Sequence, residues 1–185
     1  MIKLKEGLKA LLPRDRYQHS LRVESCARRL ARRWKVSEQK AALAALLHDC
    51  ARYLDRRGML KTARVFKFKI DKLEKLEPKL LHARLSAEVA RRRFKIKDKQ
   101  ILSAIAKHTV GAEDMTKLDK IIYLADHIEA ERNYHGLPKV RRLAFRSLNR
   151  ALAASTSSMI FELLRKGLPI FEGTVKTRNR FLMGK

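Results

Sequence analysis

Four of the six histidines in this chain stand in helical register with apolar residues, where imidazole can ligate metal or shuttle protons. His19 lies at i, i+4, i+7, i+11 spacing with Val23, Cys26 and Leu30. His48 ends an apolar run and is followed at once by Asp49, His82 shares a face with Leu85 and Val89, and His108 shares one with Ile101, Ala104 and Ile105. Asp126 sits inside the apolar run IIYLADHI, where a carboxylate is costly to bury without a partner. A single histidine on an apolar face is ordinarily a hydrogen-bonded core residue, and a buried Asp ordinarily pairs with an Arg. Four inward His and two inward Asp on five segments form instead a ligand set for zinc, manganese, iron or similar ions. Six ligands exceed what one catalytic metal with an open position needs, whereas two metals bridged by a carboxylate would use them all. His127 falls about 100° around the helix from Asp126 and reads as a neighbour of the site or a surface group. His135, in RNYHGLP, is expected in solvent.

The elements that must carry these residues read as helices. Strand alternation and Asn-Gly or Asp-Gly hairpin turns are missing, and there are only 7 Gly. The pattern predicts helices over Lys3 to Leu12, ended by Pro13, and over Arg14 to Trp34. A third runs from Glu38 to about Tyr53 behind Ser37 as N-cap. Its AALAALL centre is apolar all round and should be buried. Asp55 to Glu77 reads as a short helix and a basic loop. Further helices are expected from Pro78 to Phe94 and from Asp98 to His108, with Gly111 marking the turn. Thr116 and Asp119 form a capping pair before LDKIIYLADHI. One long helix is expected from Pro138 to Lys166, stopped by Gly167 and Pro169. The expectation is an all-α fold in a single domain over residues 1–185, with a metal-binding helical core over about 14–130 and a C-terminal helix and tail over about 138–185.

At 185 residues with 45% hydrophobic content the chain can bury a proper core and is not a disordered polyelectrolyte. Cys26 and Cys50 cannot build a disulfide framework or a four-cysteine zinc site. No apolar run approaches the ~20 residues of a membrane span, and the N-terminus carries charges where a signal peptide has its apolar stretch. The expected location is therefore cytoplasmic, with no membrane partner. With 44 Lys+Arg against 19 Asp+Glu, the formal charge is +25. Arg28, Arg29, Arg32, Arg33, Lys35 and residues 91–99 are its densest blocks. Such a field attracts polyanions, including phosphorylated small molecules, and predicts weak non-specific binding of nucleic acid. A homodimer is compatible with the sequence.

The ordered set His19, His48-Asp49, Asp126 resembles the HD-domain superfamily of metal-dependent phosphohydrolases, and His82 and His108 match the subset that carries a second metal. ALLHDCAR at 45–52, LLHARLSAEVA at 80–90, KHTVGAEDMTKLDKIIYLADHIE at 107–129 and TRNRFL at 177–182 are similar to the bacterial YqeK family of symmetrical diadenosine tetraphosphatases. The resemblance implies a helical HD bundle that cleaves diadenosine tetraphosphate to two ADP through a metal-activated water. It implies that His19, His48, Asp49 and Asp126 hold one metal, with Asp49 bridging to a second held by His82 and His108. It also implies a di-iron cofactor, although the residue types equally permit manganese.

Arg52, where the family commonly has Lys, is implied in catalysis with Asp49 and in binding phosphate. Arg132, Arg178 and Asn179 in the matching ERN and TRN segments, with Lys107 and Thr109 beside His108, are the further candidates for substrate contact. The chain carries Phe171 where the family often has His. Two other readings use the same residues differently: an HD phosphohydrolase of a mononucleotide or alarmone, and a basic helical protein that binds RNA or another polyanion.

Overall fold

A computed structural model describes residues 1–184, and among them there is no strand. Eleven α-helices follow in order: α1 Ile2–Leu11, α2 Arg14–Trp34, α3 Glu38–Leu47, α4 Arg56–Val65, α5 Lys72–Leu76, α6 His82–Arg92, α7 Lys99–Lys107, α8 Lys117–Ile128, α9 Leu137–Ala144, α10 Leu148–Arg165 and α11 Glu172–Leu182. A single 3-10 turn, Pro78–Leu81, leads into α6. None of these helices is long and apolar enough to cross a membrane.

Local sequence accounts for most helix starts. Ser37, Asp55, Asp71, Asp98, Thr116 and Ser147 each accept a backbone N–H in the first turn with a side-chain oxygen. Thr116 and Asp119 close the expected capping box. The helix ends differ more from expectation. α3 stops at Leu47 rather than Tyr53 because the His48 ring takes the Ala45 carbonyl, at 2.6 Å. The segment beyond it is pinned sideways: Ser86 Oγ accepts from the Ala51 N–H at 3.0 Å, and the Cys50 thiol donates to the Ser86 carbonyl at 3.2 Å. The expected 78–94 helix divides at His82, and the expected 138–166 helix breaks over residues 145–147, where Ser147 caps a new start. Residues 55–77 hold two helices, α4 and α5, and the C-terminal tail is itself helical.

The centre of the molecule is built by α2 against α3 and α8, and by α7 against α3, α6 and α8, with α10 packed on α8, α9 and α11. Val23, Leu30, Leu46, Leu47, Ile105, Ile121, Ile122 and Leu124 are wholly buried between them. Each such side chain contributes roughly 1.5–3 kcal/mol on burial. α11 docks on the loop that follows α7 through Thr177, whose hydroxyl donates to the Val110 carbonyl at 3.1 Å. Gly111 makes that approach feasible: its φ is +74°, and a Cβ there would meet Thr177 Cγ2 at 2.5 Å. Gly111→Ala is therefore expected to cost about 2–4 kcal/mol, from left-handed strain and overpacking together. Urea denaturation of the purified variant measures it.

Candidate metal centre and its mouth

The six expected ligands come from five elements and meet in one place. His19 rises from the middle of α2 and Asp126 from α8. His48 and His108 cap the C-termini of α3 and α7, His82 is the first residue of α6, and Asp49 lies in the turn after α3. All six are 0–9% exposed.

Helix ends suit histidine here for a specific reason. The last four carbonyls of a helix have no partner in the helix, and the Nδ1–H groups of His48 and His108 donate to two of them, Ala45 O at 2.6 Å and Ile105 O at 2.7 Å. His82 does the same with the carbonyl of Lys79. In all three cases a carbonyl three residues back holds Nδ1, which fixes the tautomer and leaves Nε2 as a lone pair aimed inward.

Those inward atoms crowd together. His19 Nε2 is 3.0 Å from Asp126 Oδ1, and His48 Nε2 is 3.9 Å from the same oxygen. Asp49 divides its two oxygens: Oδ2 lies 3.7 Å from His48 Nε2, while Oδ1 lies 3.3 Å from His82 Nε2 and 3.6 Å from His108 Nε2. Two groups have all donor atoms within 4.8 Å of one another, His19, His48, Asp126 and His48, Asp49, His108. The Nε2 atoms of His19 and His48 and Oδ1 of Asp49 are buried without a hydrogen bond. Buried polar atoms in native proteins are normally satisfied, so orphaned atoms of metal-ligand type inside these two groups fit a metal.

Electrostatics keep the set ready to ligate. Burial pushes His48 and His82 down to about 4, so both are neutral at pH 7. Burial would raise Asp49, but His48, His108 and His82 outweigh it and hold its carboxyl well below the usual range. Asp126 is likewise held low, burial being outweighed by His19, His48 and Arg132. For His108 the lowering by burial is overcome by the Asp49 carboxylate, and its value rises.

The cluster opens into a cleft of about 340 Å³ lined by Arg16, Arg52, Thr109, Arg132, Tyr134 and Met159 besides Asp49, His82, Asp126 and His127. Arg52 Nε is 3.9 Å and Arg16 NH1 3.8 Å from Asp49 Oδ2. Thr109 Oγ1 lies 3.0 Å from His82 Nε2. Arg132 is half-buried and paired directly with Asp126 through NH2, its Nε donating to the Asp126 carbonyl at 2.7 Å.

The other expected contacts are not brought there. Lys107 turns away to Asp114, at 2.9 Å, and stands 3.7 Å from Asp119. Arg178 donates to Ser157 Oγ at 3.3 Å and to Asn179, which is exposed. His127 is half-buried at the cleft wall, stacked on Tyr123, and His135 is exposed. Sequence reasoning passed over Arg16, Glu129, Tyr134 and Met159. Only the first two carry a local signal, each three residues along a helix from a ligand.

The HD domain family model matches residues 16–131, which span every expected ligand. The symmetrical bis(5'-nucleosyl)-tetraphosphatase of Halalkalibacterium halodurans is 38% identical over 95% of this chain and 94% of its own. The Bacillus subtilis protein of the same name is 36% identical over 96% and 95%. Among solved structures, a predicted HD superfamily hydrolase involved in NAD metabolism from Clostridium acetobutylicum superposes with a TM-score of 0.94 at 33% identity, over 99% of this chain and 97% of that one.

Proposed function

Since the chain belongs to the HD-domain family and, within it, to the symmetrical bis(5'-nucleosyl)-tetraphosphatases, we propose that the cluster described above is the active site through which it acts. The chain is a metal-dependent phosphohydrolase that converts diadenosine tetraphosphate to two ADP. The observation that carries the assignment is the set of Nδ1-anchored histidines whose Nε2 atoms face both oxygens of Asp49.

His19, His48 and Asp126 would hold one metal and His82 and His108 a second, with Asp49 placed to serve both. When bound, such a pair supplies an acidified water and neutralises charge on the attacked phosphoryl group. The remaining work belongs to the chain's own side chains. Asp49, ionised and anchored by the turn that Ser86 pins, sets the spacing of the two positions. Arg16, Arg52 and Arg132, from three separate segments, surround the cleft and take up phosphate charge; planar guanidinium forks can do this in bidentate fashion. Thr109 places its hydroxyl beside His82, within reach of a phosphate oxygen. An apolar cleft of about 300 Å³ shares Thr109 and Met159 with the mouth and includes Leu80, Leu163 and Phe171, which gives a nucleoside room to leave water.

Iron is the metal the family resemblance favours, and manganese suits the same donors. Residues 14–130 provide the metal core, and the C-terminal part, through residues 159–174, walls the nucleoside cleft together with residues 73–80, in one domain. A cytoplasmic location agrees with two cysteines that form no disulfide.

The direct test is product analysis. Purified protein supplied with iron or manganese should release ADP alone from diadenosine tetraphosphate; AMP plus ATP would overturn symmetric cleavage. Arg52→Ala should lower kcat/KM about 10- to 100-fold, the worth of a charged hydrogen bond, with Arg52→Lys restoring part of it. Steady-state kinetics on the two variants reads both.

A further inference from the structure

Three of the four ligand histidines have Nδ1 held by a neutral backbone carbonyl. His19 does not. Its Nδ1 meets Glu129 Oε1 at 3.3 Å, so its partner is a carboxylate. Glu129 is only 3% exposed and caps the C-terminus of α8, the negative end of the helix dipole, where a buried carboxylate is poorly placed.

The surroundings offset that cost. Arg22 Nε donates to Glu129 Oε2 at 2.8 Å, the Glu131 N–H donates to the same oxygen at 2.9 Å, and Arg132 Nε stands 3.9 Å from Oε1. Arg141 ties down the backbone itself, donating to the Glu129 carbonyl at 2.7 Å. A carboxylate set against the helix dipole and then held by this many groups has a task beyond packing.

We propose that Glu129, held by Arg22, is a positioning residue that orients the His19 imidazole and makes the metal position of His19, His48 and Asp126 the tighter of the two. The inference rests on the metal-dependent reading above and adds an asymmetry to it. A carboxylate draws the Nδ1 proton more strongly than a carbonyl does, which strengthens Nε2 as a donor to a metal. The second position has no such carboxylate behind either of its histidines: His82 and His108 are backed by Lys79 O and Ile105 O. The two positions therefore differ in what stands behind their histidines, beyond the carboxylate of Asp126 that faces only the first.

The test is manganese binding to metal-free protein, with free Mn²⁺ followed by electron paramagnetic resonance. Wild type should bind two ions with separable dissociation constants. Glu129→Gln keeps the shape and removes the charge; it should weaken the tighter ion about 10- to 100-fold and leave the other within about twofold. Arg22→Gln should weaken the same ion by a smaller factor, and it serves if Glu129→Gln folds poorly by circular dichroism. Glu24→Gln is the control, since Glu24 is also buried on α2 but paired with Lys5 and Arg28, each at 2.8 Å. Equal weakening of both ions, no change, or the same loss in Glu24→Gln would overturn the proposal. Wild type that binds no ion would instead remove the metal reading beneath it.

Discussion

Asp49→Ala should bind neither metal tightly and should lose at least about 10³-fold in hydrolysis of diadenosine tetraphosphate. The size follows from the role: metal stabilisation of a phosphoryl transition state is worth several kcal/mol, and each 1.36 kcal/mol is tenfold in rate. The breadth follows from geometry. Asp49 is the one side chain with an oxygen facing each set of histidines, Oδ2 toward His48 and Oδ1 toward His82 and His108. The variant should still fold, because Asp49 Oδ1 has no hydrogen bond to lose and the turn is pinned by the Ala51 backbone and the Cys50 thiol rather than by the carboxylate. Elemental analysis and a product assay on one sample decide it. Two metals retained with substantial activity would defeat the bridging role of Asp49.

The second large effect is on stability. Removing metal with a chelator should lower Tm by about 8–16 °C. Ligand binding to the native state adds about 4 kcal/mol when free metal is 1,000 times its Kd, and 1 kcal/mol moves Tm by about 2–4 °C for a chain of this size. The metal-free protein should also weaken in acid. His48 and His82 sit at about 4 when folded, against about 6.5 unfolded, so the unfolded chain binds protons that the folded one refuses. Their contribution is complete above pH 6.5 and is lost as pH falls toward 4. His108, shifted upward by Asp49, offsets part of that loss. Protons also compete with metal for the imidazoles, so the loaded protein should lose its advantage over the same window. Thermal scans from pH 7.5 to 4.5, with and without chelator, measure both; a Tm that chelator leaves unchanged would mean the cluster holds no structural metal.

The charge of +25 exceeds what a small anionic substrate requires, and only part of it is used at the mouth. Many remaining cations are paired along the helices, such as Arg91 and Arg92 with Glu88 and Arg165 with Glu162.

Residue types and helical spacing alone determined the all-helical class, the capping of α3 and α8, and the inward faces of His19, His82, His108 and Asp126, because periodicity reports which face of a helix is buried. They could not report where a helix ends. His48 and Asp49 become useful only because α3 stops at Leu47, a stop made by the His48 ring taking a carbonyl and by Ser86 of α6 holding the next turn. No Gly or Pro marks it. The break between α9 and α10 and the docking of α11 on Val110 likewise depend on contacts between distant segments. The same holds at the mouth. Lys107 lies beside an expected ligand in sequence yet faces Asp114, whereas Tyr134 and Met159, with no local signal, line the cleft through packing. The expected ligand set is a property of local pattern, and its tautomers, the placement of Asp49 between the histidines and the ring of guanidinium groups are properties of the packed tertiary fold.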